Sequence, residues 1–299
     1  MSRIKKYLKR FILTDSGKPR LLNWIFIMHT SEYLVRKWVA KNISHNDIVL
    51  DVGARKFQYT KYQNYKMLFG VDLPSDTDGY LGWTKDSIKK IICNRKIYPV
   101  FGNCERLPFK HGSFDVIFIN EVIEHIKDDV QAISELSRVL KTNGKLLLKT
   151  PNGSIVTNAN PFHYRHYFPD QLMNILLKYF ETVVLVTKIP NNNLNVKQFL
   201  PKNNTQVKKA FYRYLYWIYY IVYGNWVKNR GSSIFVTCAN PKMEEEVSED
   251  SNVNKTVLQI LACPKCKNEL QINPSHLICN NCQQEYHYIY GIPNLIYKK

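Results

Sequence analysis

Acidic residues are scarce: 24 Asp and Glu stand against 42 Lys and Arg in 299 residues, a formal net charge of +18. A surplus of that size favours an anionic partner, either nucleic acid or an acidic membrane surface, and leaves the fold open. A Lys-enriching genome composition would produce the same surplus. Apolar runs of membrane-crossing length are also lacking. The uncharged run Tyr214–Val227 has fourteen residues, short of the ~17–25 that cross a bilayer. The basic start, MSRIKKYLKRFIL, has too short an apolar run for a secretion signal and no small-residue cleavage site after it, so a cytoplasmic protein is expected. A disulfide framework is missing as well. Of seven cysteines, Cys93, Cys104 and Cys238 are scattered, whereas Cys263, Cys266, Cys279 and Cys282 form two tight pairs. That is a metal pattern suited to a reducing compartment. Hydrophobic residues at 45% and charged residues at 22% are close to globular averages, which disfavours wholesale disorder and a membrane-embedded body.

What is present is organised into two parts. Residues 1–46 read as a basic helical region, with an apolar segment around Leu21–Met28 and a helix at Ser31–Lys41 that repeats Leu34 and Trp38 at helical spacing. From Asp47 onward short apolar runs alternate with polar or helical segments. Strands are expected at Ile48–Val52, Met67–Val71, Tyr98–Phe101, Val116–Ile119 and Lys145–Thr150. A helix at Asp129–Leu140, stopped by Asn143-Gly144, and a second at Pro169–Phe180 lead to strands at Thr182–Ile189 and Ser233–Ala239. The alternation predicts an α/β fold with a doubly wound, mostly parallel sheet. Residues 47–241 form this domain, with an aromatic and basic insertion at 205–230, an acidic linker at 242–256 and a small second domain at 257–299.

In an open α/β sheet, ligands sit beyond the carboxyl ends of the strands. The first strand ends in VLDVG, with Asp51 and Gly53 at the turn; the second ends in GVDL, with Asp72; the third region offers Asn103, Cys104 and Glu105 before LPF. Each alone is more often a buried turn or a helix cap. Their order and spacing together resemble the class I S-adenosylmethionine-dependent methyltransferases of the type 11 branch, a Rossmann-like family, in VLDVG, GVDL, NCERLPFKHGSFDVIFINEVIEHI and ELSRVLKTNGKLLLKTPN. The likeness covers residues 47–152 and continues faintly through HYRHYFPDQL at 163–172. It implies S-adenosylmethionine as cofactor, with Asp51, Gly53 and Ala54 bordering the methionine moiety, Asp72 and Leu73 at the ribose, Asn103 and Cys104 beside the adenine, and Asn120 with Glu121 facing the sulfonium and acceptor. The family's glycine-rich loop is here Gly53-Ala54-Arg55-Lys56-Phe57, which keeps only the first glycine, so a cofactor-free binding or scaffold protein is an alternative reading.

Methyl transfer from a sulfonium mainly requires alignment and exclusion of water. An oxygen acceptor gains from a general base. The candidates are His125, placed four residues after Glu121 as if on one helical face, and His163 or His166 after the fifth strand. A structural role for His125, or capping of the following helix by the later histidines, is the plain alternative.

Cys263-x₂-Cys266, twelve intervening residues and Cys279-x₂-Cys282 suit two knuckles closing a tetrahedral, structural Zn²⁺ site. The segment LQILACPKCKNEL…LICNNCQQEYHYIYGIPNLI is similar to the zinc-ribbon activator proteins of tRNA, rRNA and release-factor methyltransferases. That likeness implies a ribbon that docks on a methyltransferase, here on its own chain. The segment 207–230 holds nine aromatics, five basic residues and no acid. This composition suits a helix packed on the domain, a peripheral contact with the inner face of a membrane, or stacking on single-stranded RNA. The core, the form of the loop after Gly53 and this insertion resemble methyltransferases of cell-surface polysaccharide and glycolipid synthesis, which implies a glycan or lipid-linked acceptor; the fused ribbon and the charge point to tRNA or rRNA as the alternative.

Overall fold

The computed structural model describes residues 29–75, 82–92, 96–155, 160–188, 232–242 and 257–297. The segment Leu21–Met28, the insertion at 205–230 and all of the acidic linker after residue 242 lie outside the described residues.

Helix α1 (His29–Asn42) precedes β1 (Ile48–Val52), β2 (Met67–Asp72), α2 (Lys85–Ile92), β3 (Ile97–Phe101) and β4 (Phe114–Asn120). A 3₁₀ turn at Ile123–His125, helix α3 (Asp129–Val139), β5 (Leu140–Pro151), α4 (Pro169–Leu176), β6 (Phe180–Lys188) and β7 (Ser233–Pro241) complete the larger unit. The seven strands lie in the order β3-β2-β1-β4-β5-β7-β6. β3, β2, β1, β4 and β5 are parallel, and β7 runs antiparallel to both its neighbours. This is the mixed, mostly parallel sheet of the class I methyltransferase fold.

Every residue of β1 is buried, because helices cover both faces of the sheet. Ile48, Leu50 and Val52 face one apolar layer with Ile133, Leu136 and Val139 of α3. Val49 faces the other, with Val35 and Val39 of α1. Trp38 fixes α1 to the far end of the chain. Its ring lies edge-on to Phe235 at 5.1 Å, and its Nε1 donates to Thr237 Oγ1 at 3.3 Å.

Several element ends differ from the sequence reading. α3 stops at Val139, and Leu140 is already extended at φ −80°, ψ 139°. It pairs with Phe114 before the register shifts to Val116 and Lys145. Asn143-Gly144 therefore lies inside β5 and is not the helix stop; strand pairing ends the helix first. α4 is shorter than expected, since Phe180, at 0% exposure, already belongs to β6. Its N-cap is Phe168, so neither His163 nor His166 caps it.

The C-terminal unit begins with a short helix α5 (Val257–Ile260), followed by β8 (Leu270–Ile272), β9 (His276–Cys279), β10 (Glu285–Ile289) and β11 (Ile292–Pro293). These strands form an antiparallel ribbon in the order β11-β10-β9-β8. The ribbon packs on the edge of the main sheet and on the loop between β3 and β4. Lys110 N donates to Ile260 O at 2.9 Å, Ala262 N to Pro108 O at 3.0 Å and Leu295 N to Phe101 O at 2.8 Å. Ile260, Leu261 and Leu295 share one buried apolar cluster with Leu107 and Phe109. Polar contacts ring it: Lys267 Nζ donates to Glu135 Oε2 at 2.6 Å and to Leu107 O at 3.3 Å, and Lys110 Nζ donates to Glu269 Oε1 at 2.6 Å.

Candidate active site and metal centre

The chain runs outward from β1 to β3 and then crosses back to β4 on the other side of β1. That reversal opens a crevice at the carboxyl ends of β1 and β4. A cleft of about 640 Å³ occupies it. Asp51, Gly53, Ala54, Asp72, Leu73, Asn103, Cys104 and Asn120 all line this cleft, as do Glu121, His125 and His163.

Asp51 is buried and accepts a 2.5 Å hydrogen bond from Thr60 Oγ1. Burial holds its carboxyl well above the usual range, opposed by the Thr60 bond and assisted by the nearby Asp72 carboxylate. Gly53 adopts φ +67°, and a Cβ there would stand 2.3 Å from Val122 Cγ2, so the turn requires glycine. Asp72 Oδ2 accepts from Arg55 N and Oδ1 from Leu73 N, each at 2.9 Å. Each carboxylate oxygen keeps acceptor capacity for a ligand hydroxyl. Burial raises the Asp72 carboxyl to about 6, with the two amide donors and the Arg55 charge opposing.

The loop after Gly53 holds its shape without further glycines. Arg55 and Phe57 occupy the left-handed region at φ 40° and 50°, a conformation that costs a non-glycine residue roughly 1 kcal/mol or more. Phe57 is 1% exposed and stacks on Trp83 at 5.9 Å, while Trp83 Nε1 donates to Arg55 O at 2.6 Å. A buried aromatic pair and one hydrogen bond thus impose the turn. Phe57 also lies over Gly70, where a Cβ would come within 2.2 Å of its ring.

Asn103 Oδ1 accepts from Glu105 N at 3.0 Å, closing a local turn. Cys104 is buried, and burial followed by the Glu135 and Glu105 charges pushes its thiol far up. It lines the cleft as a neutral apolar surface. Asn120 ends β4, and its Oδ1 is buried with no hydrogen-bond partner among the described residues. An acceptor left open in this way fits a cationic or N–H donor from a bound cofactor.

Glu121 does not share a helical face with His125. It stands at φ 54° just after β4, and Ile123–His125 is a single 3₁₀ turn. Its carboxylate is ion-paired with Lys149 Nζ. Lys149 is 5% exposed in the middle of an apolar strand and lies 5.8 Å from the Phe235 ring centre. The pair neutralises that buried ammonium, a structural task for the Glu121 carboxylate. Lys149 was missed in the sequence, although a lone lysine inside LLLKTP is the signal that a partner carboxylate must exist.

Glu124 was missed too. It is 0% exposed; its Oε2 accepts from Thr150 Oγ1 at 3.0 Å, and its Oε1 has no partner among the described residues. Burial, reinforced by Glu121, raises its carboxyl to about 8. His125 Nδ1 lies 2.9 Å from Phe162 O. His163 lies edge-on to His125 at 4.6 Å and contacts Asn160 Nδ2 and His166 Nε2, each at 2.9 Å. Burial and the two neighbouring imidazoles lower the pKa of His163.

In the ribbon the four Sγ atoms of Cys263, Cys266, Cys279 and Cys282 all lie within 4.8 Å of one another. The pairs Cys263–Cys282 and Cys266–Cys279 are 3.7 and 3.4 Å apart. A tetrahedral ion with bonds of about 2.3 Å requires sulfur separations of about 3.8 Å, so the four thiolates are clustered at the spacing a zinc ion would take up. Tyr286 OH at 3.2 Å from Cys263 Sγ and Cys282 N at 3.5 Å from Cys279 Sγ are the outer contacts such a site needs.

Comparison with known proteins agrees with this geometry. Residues 50–148 match the family described as methyltransferase domain, and a second family of the same description matches residues 100–198. Residues 254–287 match the family described as Trm112p-like protein. A probable S-adenosylmethionine-dependent methyltransferase of Mycobacterium tuberculosis is 36% identical over 80 residues, 25% of this chain and 29% of that protein. A ubiquinone/menaquinone biosynthesis C-methyltransferase of Citrifermentans bemidjiense is 32% identical over 69 residues, 22% of this chain and 29% of its own length. The matches therefore span less than a third of these curated relatives. Among solved structures, a complex between the Haloferax volcanii Trm112 methyltransferase activator and a methyltransferase superposes with a TM-score of 0.51 at 12% identity, covering 72% of this chain and 92% of that one. That likeness is one of fold.

Proposed function

We propose that this chain, which carries a methyltransferase domain followed by a Trm112p-like domain, is an S-adenosylmethionine-dependent methyltransferase whose Cys₄ ribbon holds a structural zinc ion. The observation that carries the reading is the convergence of Asp51, Gly53, Asp72 and the orphaned Asn120 Oδ1 on one cleft at the sheet reversal. When bound, S-adenosylmethionine supplies an electrophilic methyl group on a sulfonium. Gly53 lets the backbone come close to the methionine moiety, and Asp72 accepts hydrogen bonds from the ribose hydroxyls. Asn103 and the neutral Cys104 wall the adenine. Asn120 accepts from the cofactor's donor groups. Glu121 stays on Lys149, and His125, His163 and Glu124 flank the acceptor.

The form of the loop after Gly53 and the basic aromatic insertion support a hydroxyl acceptor on a glycan or lipid-linked intermediate, reached through a peripheral contact of residues 205–230 with the inner face of a cytoplasmic membrane. The Trm112p-like domain and the basic surplus favour a second reading in which the acceptor is tRNA or rRNA. Calorimetry on the full chain should show one S-adenosylmethionine per molecule, and Asp72→Ala should abolish the heat while the thermal melt remains. Retained binding in Asp72→Ala would refute the ribose assignment; no binding by the intact chain would leave a scaffold. Transfer of a radiolabelled methyl group into a ribonuclease-resistant glycolipid fraction separates the first acceptor from the second.

A further inference from the structure

We propose that Glu124, His125 and His163 form a second metal site, which holds a divalent transition ion at the acceptor end of the cleft. One ligand atom from each of the three residues lies within 4.8 Å of the other two. Two imidazoles and one carboxylate, with further positions facing open space, suit manganese, iron, cobalt or zinc. Independent of that spacing, Glu124 is fully buried: Oε2 accepts from Thr150, and Oε1 has no hydrogen-bond partner among the described residues. A buried carboxyl oxygen without a partner is destabilising, and an ion held by this carboxylate would satisfy it.

The surrounding contacts are of the kind that orient metal ligands. With Phe162 O 2.9 Å from His125 Nδ1, the proton of a neutral ring sits on Nδ1 and the Nε2 lone pair is free. His163 is held between Asn160 and His166. The nitrogen that turns to the ion gives up one of these contacts, and the other keeps the ring in place. Glu121 stays outside the set because its carboxylate is tied to Lys149. The four ribbon cysteines are a separate site of different chemistry, with sulfur ligands and no open position.

The role of the ion rests on the methyl-transfer reading; its binding does not. An acceptor hydroxyl that coordinates the ion loses its proton to water more readily. The oxygen then forms its bond to the methyl carbon as the carbon–sulfur bond breaks, with the electron pair passing to sulfur. The acceptor class is thereby narrowed to oxygen.

The test uses the full chain with its ribbon zinc-loaded, titrated with Mn²⁺ and followed by loss of the free Mn²⁺ resonance signal. Thiolates discriminate against Mn²⁺, so the ribbon does not compete. One ion per chain should bind, and Glu124→Gln and His163→Ala should each weaken it by about tenfold or more. His163 is partly exposed, so His163→Ala keeps its thermal melt and remains informative where Glu124→Gln does not fold. Failure to bind Mn²⁺, or binding undiminished in His163→Ala, overturns the proposal. Because the titration contains no S-adenosylmethionine, ion binding with no cofactor binding would sink the methyltransferase reading alone, and the reverse would sink the metal site alone.

Discussion

Asp72 carries the sharpest residue-scale prediction. Its carboxyl sits near 6 because burial disfavours the charged form, against an ordinary value of about 3.9. Between those two pH values the unfolded chain ionises while the folded chain keeps its proton, so stability from this group falls as pH rises through the window. Cofactor affinity runs the opposite way, since ribose hydroxyls donate to the ionised form. Calorimetric affinity should rise as pH passes through about 6 and flatten above it, and Asp72→Asn should bind weakly with no such rise; a pH-independent wild type would contradict the assignment. The residues of this site were legible wherever a strand end fixes position, as at Asp51 and Asp72. Glu124 and Lys149 were not, because their meaning depends on burial: nothing in the letters around Glu124 marks its 0% exposure.

At the scale of elements, the loop after β1 shows two routes to one backbone shape. A glycine adopts a left-handed conformation freely; here Arg55 and Phe57 are driven into it by the Phe57–Trp83 stack and the Trp83–Arg55 hydrogen bond. Trp83→Phe keeps most of the packing and removes the N–H donor. It should cost about 1 kcal/mol, lower Tm by about 2–4 °C and weaken cofactor binding more than it weakens the fold. Calorimetry beside a thermal melt checks this, and unchanged affinity would free the loop from Trp83. Sequence pattern found the strands of the sheet from their apolar runs, but element ends escaped it. Leu140 leaves α3 because Phe114 pairs with it, and that partner lies too far along the chain for local pattern to reveal.

At the scale of the molecule, the two units share one buried cluster and a polar rim. Glu135 is central to that rim. Burial pushes its carboxyl up, yet the Arg138 guanidinium and the Lys267 ammonium together hold it below the usual range. Lys267→Met leaves a buried acid with one partner where it had two, and should loosen the ribbon by about 1–3 kcal/mol. Chelating the zinc should unfold the ribbon and uncover Leu107 and Phe109, read as a lower Tm for the catalytic unit and increased binding of an apolar dye. A melt unmoved by chelation would show that the catalytic unit does not lean on the ribbon. Pairing of the cysteines was plain in the sequence; the face on which the ribbon packs was not, because it is made of main-chain contacts such as Ala262 N to Pro108 O.

β3 is the outermost strand on its side of the sheet, and the neighbour that meets it, at Asn294 and Leu295, arrives nearly two hundred residues later. On the ribosome, the main-chain carbonyl of Phe101 at the end of that strand therefore stays open until synthesis has passed the ribbon. Through that interval the strand can recruit strands from other nascent chains. The ribbon that ends the wait acts as a latch, and the order of synthesis makes closing it a late event in the life of each molecule.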